Sequence, residues 1–273
     1  MSRAGASGVP ETTGRAKRSL GQNFLRDPNV VRRIVAALEL EPGGRALEIG
    51  PGRGALCGEI LERSPGAYVA LEKDADLAFA LKAAHPRISV VYTDALRFDW
   101  KRLDAWPGVR IAGNLPYNIA SPLMWDIISQ AESYASAVFM VQYEVARRVA
   151  AAPGAPEYGG LSAWLQSFAK PRILFKVSPN AFVPRPKVDS AVVRFKPLPA
   201  ALRPGNPGAL ARLIKMCFQM RRKQARNILK AVWSRDVENL FEINGFTEKS
   251  RPEEFPPIFF QQLADVLKNA LPS

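Results

Sequence analysis

Residues 46–56 read Ala-Leu-Glu-Ile-Gly-Pro-Gly-Arg-Gly-Ala-Leu, an apolar run that leads directly into three closely spaced glycines. The run predicts a buried strand. Gly50, Gly52 and Gly54 predict a turn whose backbone can adopt positive φ and approach a ligand closely. A helix is expected to begin near Ala55. This order of elements is typical of the start of an α/β domain that binds a nucleoside cofactor.

The rest of the first two hundred residues repeats this alternation of apolar runs and segments able to form helices. A first helix is expected after Asp27, which is placed to cap it, with Pro28 in the first turn. Further strands are predicted at 67–71, 88–92, 109–113, 137–142 and 190–195. The pattern predicts an α/β fold with a mostly parallel, Rossmann-like sheet and helices on both of its faces.

The composition changes near Lys196, where four prolines fall within a short stretch that cannot continue a regular element. Beyond it, apolar residues from Leu210 to Val232 and from Phe259 to Val266 follow helical spacing. The N-terminal residues are small, polar and basic, which is typical of a disordered arm. We therefore expect a basic arm over 1–18, an α/β domain over 19–199 and a small all-α domain over 200–273.

The charge and the scarcity of histidine and cysteine exclude several classes of protein. The formal net charge is +13 and the isoelectric point is near 10.0, which predicts an anionic polymer or membrane surface as partner. Cys57, Cys217 and the only histidine, His85, are too few for a zinc site or a disulfide framework. Ser-His-Asp or Cys-His catalysis would need His85, which lies in an expected surface turn before a strand. The same scarcity predicts no metal. No run of about 18 apolar residues is present, so we expect no membrane span.

Acidic residues follow the second and third predicted strands, where they can complete a cofactor site. Glu72 can accept the hydroxyls of a ribose, and Asp94 can accept an adenine amine. The glycine turn also satisfies the looser fingerprint of dinucleotide-binding proteins, because Ala55 can replace the third glycine. From these residues alone, a nicotinamide enzyme therefore remains an alternative.

The sequence Asn114-Leu115-Pro116-Tyr117 follows the fourth predicted strand, at the carboxyl edge where open α/β sheets bind ligands. The Asn114 side chain and the Leu115 carbonyl can accept hydrogen bonds from an aromatic amine, while Pro116 lacks an N–H donor. Tyr117 offers a face on which an unstacked base can lie. The motif predicts methyl transfer to the amine of a base.

Together these residues resemble the KsgA-type ribosomal RNA adenine dimethyltransferases over almost the whole chain. The matching segments are Gly21-Gln22-Asn23-Phe24-Leu25, the glycine turn, residues 114–122, Met140-Val141-Gln142, Tyr158-Gly159-Gly160-Leu161-Ser162, residues 182–193 and Arg221-Arg222-Lys223. The run Lys187-Val188-Asp189-Ser190, with Pro184 and Pro186, favours the small-subunit branch over the erythromycin-resistance methyltransferases.

The resemblance implies S-adenosylmethionine as cofactor and the dimethylation of two adjacent adenosines near the 3′ end of 16S ribosomal RNA. The expected cofactor-binding residues are Gln22, Asn23, Leu25, Gly50, Gly52, Glu72, Lys73, Asp94, Ala95 and Asn114. The expected catalytic residues are Asn114, Leu115, Pro116, Tyr117 and Phe182, with the target adenine between the two aromatic rings. The partner would be the immature small ribosomal subunit in the cytoplasm, bound by a monomer.

Basic residues near the start of the predicted all-α domain form the expected RNA-binding surface. Arg222, Arg226 and Lys230 repeat every fourth position, which predicts a row on one helix face, and Arg221 and Lys223 flank it. Such a row suits contact with phosphates, although a solvated face is the plainer alternative.

Three other functions remain compatible with the sequence. A DNA adenine methyltransferase would share the Asn-Pro-Tyr chemistry, and a nicotinamide oxidoreductase would share the glycine turn. A non-catalytic factor on the same fold could bind RNA without modifying it. Intact Asn114 and Tyr117 argue against that last alternative.

Overall fold

The structure, a computed structural model, describes residues 22–220 and 223–271. The expected basic arm over residues 1–18 lies outside these ranges, as do Arg221 and Arg222. The strands are β1 (Phe24–Leu25), β2 (Arg45–Ile49), β3 (Ala67–Glu72), β4 (Ser89–Tyr92), β5 (Arg110–Asn114), β6 (Ser136–Gln142), β7 (Ala169–Val177), β8 (Phe182–Val183) and β9 (Ser190–Pro197).

Helices fill most of the connections and the C-terminal quarter of the chain. They are α1 (Pro28–Ala37), α2 (Cys57–Glu62), α3 (Ala75–Ala84), α4 (Ala120–Gln130), α5 (Tyr143–Ala150), α6 (Gly160–Gln166), α7 (Pro207–Gln219), α8 (Ala225–Ile228), α9 (Arg235–Ile243) and α10 (Pro257–Leu267). As predicted, Asp27 caps α1, because its carboxylate accepts from the Asn29 and Val30 backbone N–H groups.

Seven strands form one sheet in the order β4-β3-β2-β5-β6-β9-β7. The first five strands are parallel to one another, whereas β9 runs antiparallel to both β6 and β7. The carboxyl ends of β2, β3 and β5 consequently meet at one edge, where their side chains and following loops can form a single site. The predicted mostly parallel α/β sheet is confirmed.

The sheet is packed on both faces, because successive side chains of its central strands enter two different buried clusters in alternation. Along β6, Ala137, Phe139 and Val141 belong to one buried cluster, while Val138 and Met140 belong to the other. Helices α1, α2 and α3 contribute to the cluster that holds Val138. Helices α4, α5 and α6 contribute to the cluster that holds Phe139.

Strand β7 is absent from the sequence prediction. It lies at the edge of the sheet and pairs only with β9, so the missing N–H of Pro171 removes no hydrogen bond from a central ladder. Lys170, Arg172 and Lys176 are exposed and break the apolar pattern by which buried strands are recognised. The edge position explains both the proline and the charges.

Helices α7 and α10 pack against α6, and the apolar residues of the C-terminal helices continue the larger of the two buried clusters. Within them, the rings of Phe241, Phe246, Phe255 and Phe259 contact one another at centroid distances between 4.7 and 5.5 Å. The Tyr158 hydroxyl, ahead of α6, donates to the Phe255 carbonyl at 2.9 Å. The expected all-α C-terminal region is confirmed, while the division of the chain at 199/200 stays a prediction.

Candidate active site

A cavity of about 170 Å³ lies at the carboxyl edge of β2, β3 and β5. All ten residues expected to bind the cofactor line it: Gln22, Asn23, Leu25, Gly50, Gly52, Glu72, Lys73, Asp94, Ala95 and Asn114. Four of the five residues expected to be catalytic, Asn114 to Tyr117, line the same cavity. The structure therefore gathers residues that are far apart in the chain into one concave site.

The glycine turn forms the floor of the cavity next to a buried carboxylate. Gly50 and Gly52 have φ values of 62° and 57°, a conformation that L side chains rarely adopt. The Gly52 N–H donates to Glu72 Oε2 at 3.0 Å, and the Asp74 N–H donates to Oε1 at 2.9 Å. These two bonds fix the orientation of the carboxylate and leave each oxygen a further lone pair for a ligand hydroxyl.

Asp94 lies on another wall of the cavity, at the start of the turn that follows β4. Its Oδ1 accepts from the Leu96 N–H at 3.1 Å, and its Oδ2 lies 2.8 Å from Lys73 Nζ. The hydrogen bond from Lys73 is the main cause that lowers the pKa of Asp94 below its ordinary value. At neutral pH the group is therefore an anionic acceptor of hydrogen bonds.

A short segment that includes β1 lies across the glycine turn. Phe24 pairs with Val183 and Leu25 with Phe182 in a two-residue antiparallel ladder. A Cβ on Gly52 would lie 3.2 Å from the Phe24 ring, so the glycine permits this close packing. The Arg53 guanidinium also lies over the Phe24 ring, 4.4 Å from its centroid.

The Asn114 side chain is oriented by the same segment. Its Nδ2 donates to the Asn23 carbonyl at 3.0 Å, so the Oδ1 atom stays available as an acceptor on the cavity side. The Leu115 N–H donates to the Met140 carbonyl at 3.1 Å, which ties the loop to β6. The Pro116 carbonyl accepts from the Ile119 N–H, so this carbonyl serves the turn into α4.

Tyr117 is half-buried in the loop after β5, and its hydroxyl shares a hydrogen bond of 2.7 Å with Ser190 Oγ. Burial raises the pKa of Tyr117, and the bond to Ser190 opposes this only in part. The phenol thus stays protonated at neutral pH. Its ring, rather than an ionised oxygen, is what it can present to a ligand.

Phe182 differs from the other expected catalytic residues. Its side chain is only 2% exposed and, in the part of the chain that the structure describes, it is not among the residues that line the cavity. Its backbone pairs with Leu25, which does line the cavity. The segment is therefore adjacent to the site, while stacking of the Phe182 ring on a base stays a prediction.

A buried polar cluster beneath the glycine turn was missing from the sequence-based site. The carboxylate of Glu48, which is 2% exposed and lines the cavity, accepts hydrogen bonds from the Tyr68 hydroxyl and from Cys57 Sγ. Burial is the main cause that raises the pKa of Glu48 to about 7. Burial also raises the pKa values of Tyr68 and Cys57. An acid inside the apolar run of β2 was the signal that could have revealed the cluster.

The expected row of basic residues on one helix is wrong for the residues that the structure describes. Helix α7 ends at Gln219 and α8 begins at Ala225, because Gln224 has an extended backbone with ψ 148°. The Ala225 and Arg226 N–H groups donate to the carbonyls of Ser250 and Glu248 instead of to a preceding helical turn.

The basic side chains of this region consequently differ from one another. Arg226 is half-buried, with its guanidinium 5.0 Å from the centroid of the Trp233 ring. Lys223 precedes α8 and Lys230 follows it, and both are exposed. Their role in RNA binding, like that of Arg221 and Arg222, stays a prediction.

Over residues 22–220 and 223–271, no helix is long and apolar enough to cross a membrane. Within the same ranges, no three His, Cys, Asp or Glu residues are grouped so that they could hold a metal ion.

Residues 13–268 match the family model described as ribosomal RNA adenine dimethylase. A ribosomal RNA small subunit methyltransferase A from Maridesulfovibrio salexigens is 49% identical over 263 residues, covering 96% of this chain and 100% of that protein. The protein of the same name from Oleidesulfovibrio alaskensis is 50% identical over 263 residues, covering 95% of this chain and 94% of the other.

Two solved structures share the fold. A dimethyladenosine transferase from Plasmodium falciparum has a TM-score of 0.74 and 23% identity over 91% of this chain and 98% of its own, which concerns the fold alone. The 23S rRNA methyltransferase ErmE has a TM-score of 0.67 and 26% identity over 90% of this chain and 100% of its own.

Proposed function

The chain belongs to the ribosomal RNA adenine dimethylase family, and from this premise we propose how its residues act. It dimethylates the N6 amines of two adjacent adenosines near the 3′ end of 16S ribosomal RNA, with S-adenosylmethionine as the methyl donor. The curated relatives, each named a small subunit methyltransferase, support this choice of RNA. The chain acts as a monomer in the cytoplasm, on immature small subunits, as part of ribosome biogenesis.

The hydrogen-bonding groups that line the cavity fit S-adenosylmethionine. Glu72, held by the Gly52 and Asp74 N–H groups, accepts from the ribose hydroxyls, and anionic Asp94 accepts from the adenine amine. The positive φ of Gly50 lets the backbone approach the ligand without a side chain in between. When bound there, S-adenosylmethionine supplies an activated methyl group on a sulfonium centre.

The main support for the proposal is the orientation of the Asn114 side chain. An adenine amine is a weak nucleophile because its lone pair is delocalised into the ring, and acceptors on its hydrogens favour the form in which that pair is localised. The Asn114 Oδ1 atom is such an acceptor, because its Nδ2 atom is committed to the Asn23 carbonyl. The Leu115 carbonyl supplies a second acceptor, because the loop is tied to β6 through the Leu115 N–H.

No side chain in this account removes a proton from the attacking amine. The methylated amine is acidic and loses its proton to water. Tyr117 is unsuited to act as a base, because burial raises its pKa and its hydroxyl is bonded to Ser190. Tyr117 instead offers its ring face to the flipped adenine.

RNA binding relies on charge outside the cavity. The formal charge of +13 favours a polyanionic substrate, and the exposed Lys223 and Lys230 are suited to contact phosphates. Arg226 is instead stacked on Trp233, which favours a role in holding the local fold as well as in binding.

The test is single-turnover transfer of labelled methyl groups to small ribosomal subunits that lack dimethyladenosine. The wild type should label the particles, and Asn114→Ala should slow transfer about 100-fold or more, as when a group that stabilises the transition state is removed. Asn239→Ala provides the matched control, because this asparagine is exposed on α9, which does not line the cavity.

Two outcomes would contradict the proposal. If wild type binds the particles but transfers no methyl groups, the non-catalytic alternative is correct. If it labels duplex DNA and leaves the particles unlabelled, the enzyme is a DNA adenine methyltransferase.

A further inference from the structure

We propose that Ser190 is a positioning residue that sets the orientation of the Tyr117 ring and thereby the efficiency of the second methyl transfer. The inference rests on the proposed function, in which the target adenine lies on that ring. Its basis is the 2.7 Å hydrogen bond between the two hydroxyls, across 73 positions of the chain. Among the residues that the structure describes, Ser190 is not one of those that line the cavity, and its hydroxyl acts through Tyr117.

Ser190 is a rigid anchor because strands flank it on both sides. It is the first residue of β9, and it pairs with Gln142 of β6 and with Val177 of β7. The Tyr143 N–H also donates to the carbonyl of the preceding residue, Asp189, at 2.9 Å. The side chain of Ser190 is completely buried, so its hydroxyl position is determined by the sheet rather than by solvent.

Tyr117 has no such anchorage from its own backbone element. It lies in the loop between β5 and α4 and is only half-buried, so its ring could otherwise rotate about two side-chain torsions. The phenolic oxygen lies on the axis of the second torsion, so this hydrogen bond fixes the first torsion and the position of the far end of the ring. Hydrogen bonds of a phenol also prefer the plane of its ring, so the direction to Ser190 Oγ orients the plane on which the base lies.

The second transfer depends more on this plane than the first. After the first transfer the amine carries one methyl group and a single hydrogen, so it can bond only one of the two acceptors, Asn114 Oδ1 or the Leu115 carbonyl. A ring that moves freely holds the base less firmly in the productive orientation. Loss of the Ser190 hydroxyl should therefore increase the fraction of monomethylated product as well as slow the reaction.

The experiment compares Ser190→Ala, Tyr117→Phe and the double variant in the single-turnover assay on subunits lacking dimethyladenosine. Each single variant keeps the ring and removes the hydrogen bond, so each should slow the second transfer about fivefold, the size expected for one neutral hydrogen bond. The double variant should be no slower than either single variant, because all three lack the same bond. Cofactor affinity, measured by calorimetry, should stay unchanged.

Ser136→Ala is the matched control for loss of a buried serine hydroxyl. Ser136 is also completely buried and is also the first residue of its strand, β6, but its Oγ donates to the Leu38 carbonyl at 3.2 Å, away from the cavity. This variant should lose stability while keeping the wild-type ratio of monomethylated to dimethylated adenosine. A merely structural role for Ser190 would give the same result for both serines.

Three results would overturn the inference. The first is that both Ser190→Ala and Tyr117→Phe keep the wild-type ratio of monomethylated to dimethylated adenosine. The second is that the rate of the second transfer falls in the double variant by the two single-variant factors multiplied together. The third is a wild type that forms no dimethyladenosine at all, which refutes the proposed function as well. With an active wild type, the first two results refute only the role of Ser190.

Discussion

Replacement of Glu48 by glutamine should change how the stability of the protein depends on pH. Glu48 is buried against the Tyr68 hydroxyl and Cys57 Sγ, and burial raises its pKa from 4.5 to about 7. Between these two values the folded protein keeps the proton that the unfolded chain has released. Because the folded state binds more protons there, its stability falls as the pH rises through this window.

The size of the effect follows from the shift in pKa. At about 1.4 kcal/mol per unit, ionisation of this one group lowers the free energy of unfolding by on the order of 3 kcal/mol at full extent. Most of this, on the order of 2 to 3 kcal/mol, falls between about pH 5 and pH 8. Glutamine has the same shape and cannot ionise, so Glu48→Gln should lack this part of the pH dependence.

The assay is urea denaturation of wild type and variant at about pH 5 and pH 8, at constant ionic strength. The difference between the two proteins cancels the contributions of all other titrating groups. The free energy of unfolding of Glu48→Gln minus that of wild type should be larger at pH 8 than at pH 5 by the amount above. Glu62→Gln, at an exposed position of α2, is the control. An equal difference at both pH values, or one of opposite sign, would refute the reasoning.

Two further predictions concern binding. Glu72→Gln should weaken S-adenosylmethionine binding about 10- to 100-fold in calorimetry, because a charged acceptor for the ribose is lost. Asp76→Asn, at an exposed position, should bind the cofactor normally. Equal affinities for wild type and both variants would exclude the assigned role of Glu72. Charge reversal at Lys223 and Lys230 should weaken RNA binding uniformly and reduce the salt slope by about one per phosphate contact, with no change in cofactor affinity. An unchanged slope would remove these lysines from the RNA surface.

The meeting of the expected cofactor-binding residues at one cavity could be predicted because parallel strands end at the same edge of a sheet. Gly50 follows β2, Glu72 ends β3 and Asn114 ends β5, so the order of apolar runs already implied that they meet. Side-chain chemistry then distinguished acceptors from turn residues. This argument needs only the strand positions, which the apolar runs indicate well.

Features that depend on tertiary partners were not predictable in this way. The spacing of Arg222, Arg226 and Lys230 predicts a helix, but the loop after α9 competes for the backbone donors of Ala225 and Arg226. No local pattern reports such a distant acceptor. In the same way, Phe182 is aromatic and close to the site in the fold, but its burial depends on packing that the sequence does not display.

The Glu48 cluster shows a third kind of omission. The acid, Tyr68 and Cys57 come from β2, β3 and α2, and the tyrosine and the cysteine are ordinary in their own segments. Only the pairing of β2 with β3 and the packing of α2 on them place the three polar groups together. An isolated acid in an apolar strand was a local indication of a buried partner.

The most direct test of the central claim is to map the methyl groups that wild type places on immature small subunits. Nuclease digestion and mass spectrometry of the 16S ribosomal RNA should find N6,N6-dimethyladenosine at two adjacent positions near the 3′ end. At the same early time, Asn114→Ala should give about 100-fold less or lower still. Modification elsewhere in the RNA, or an equal yield from the variant, would contradict the account.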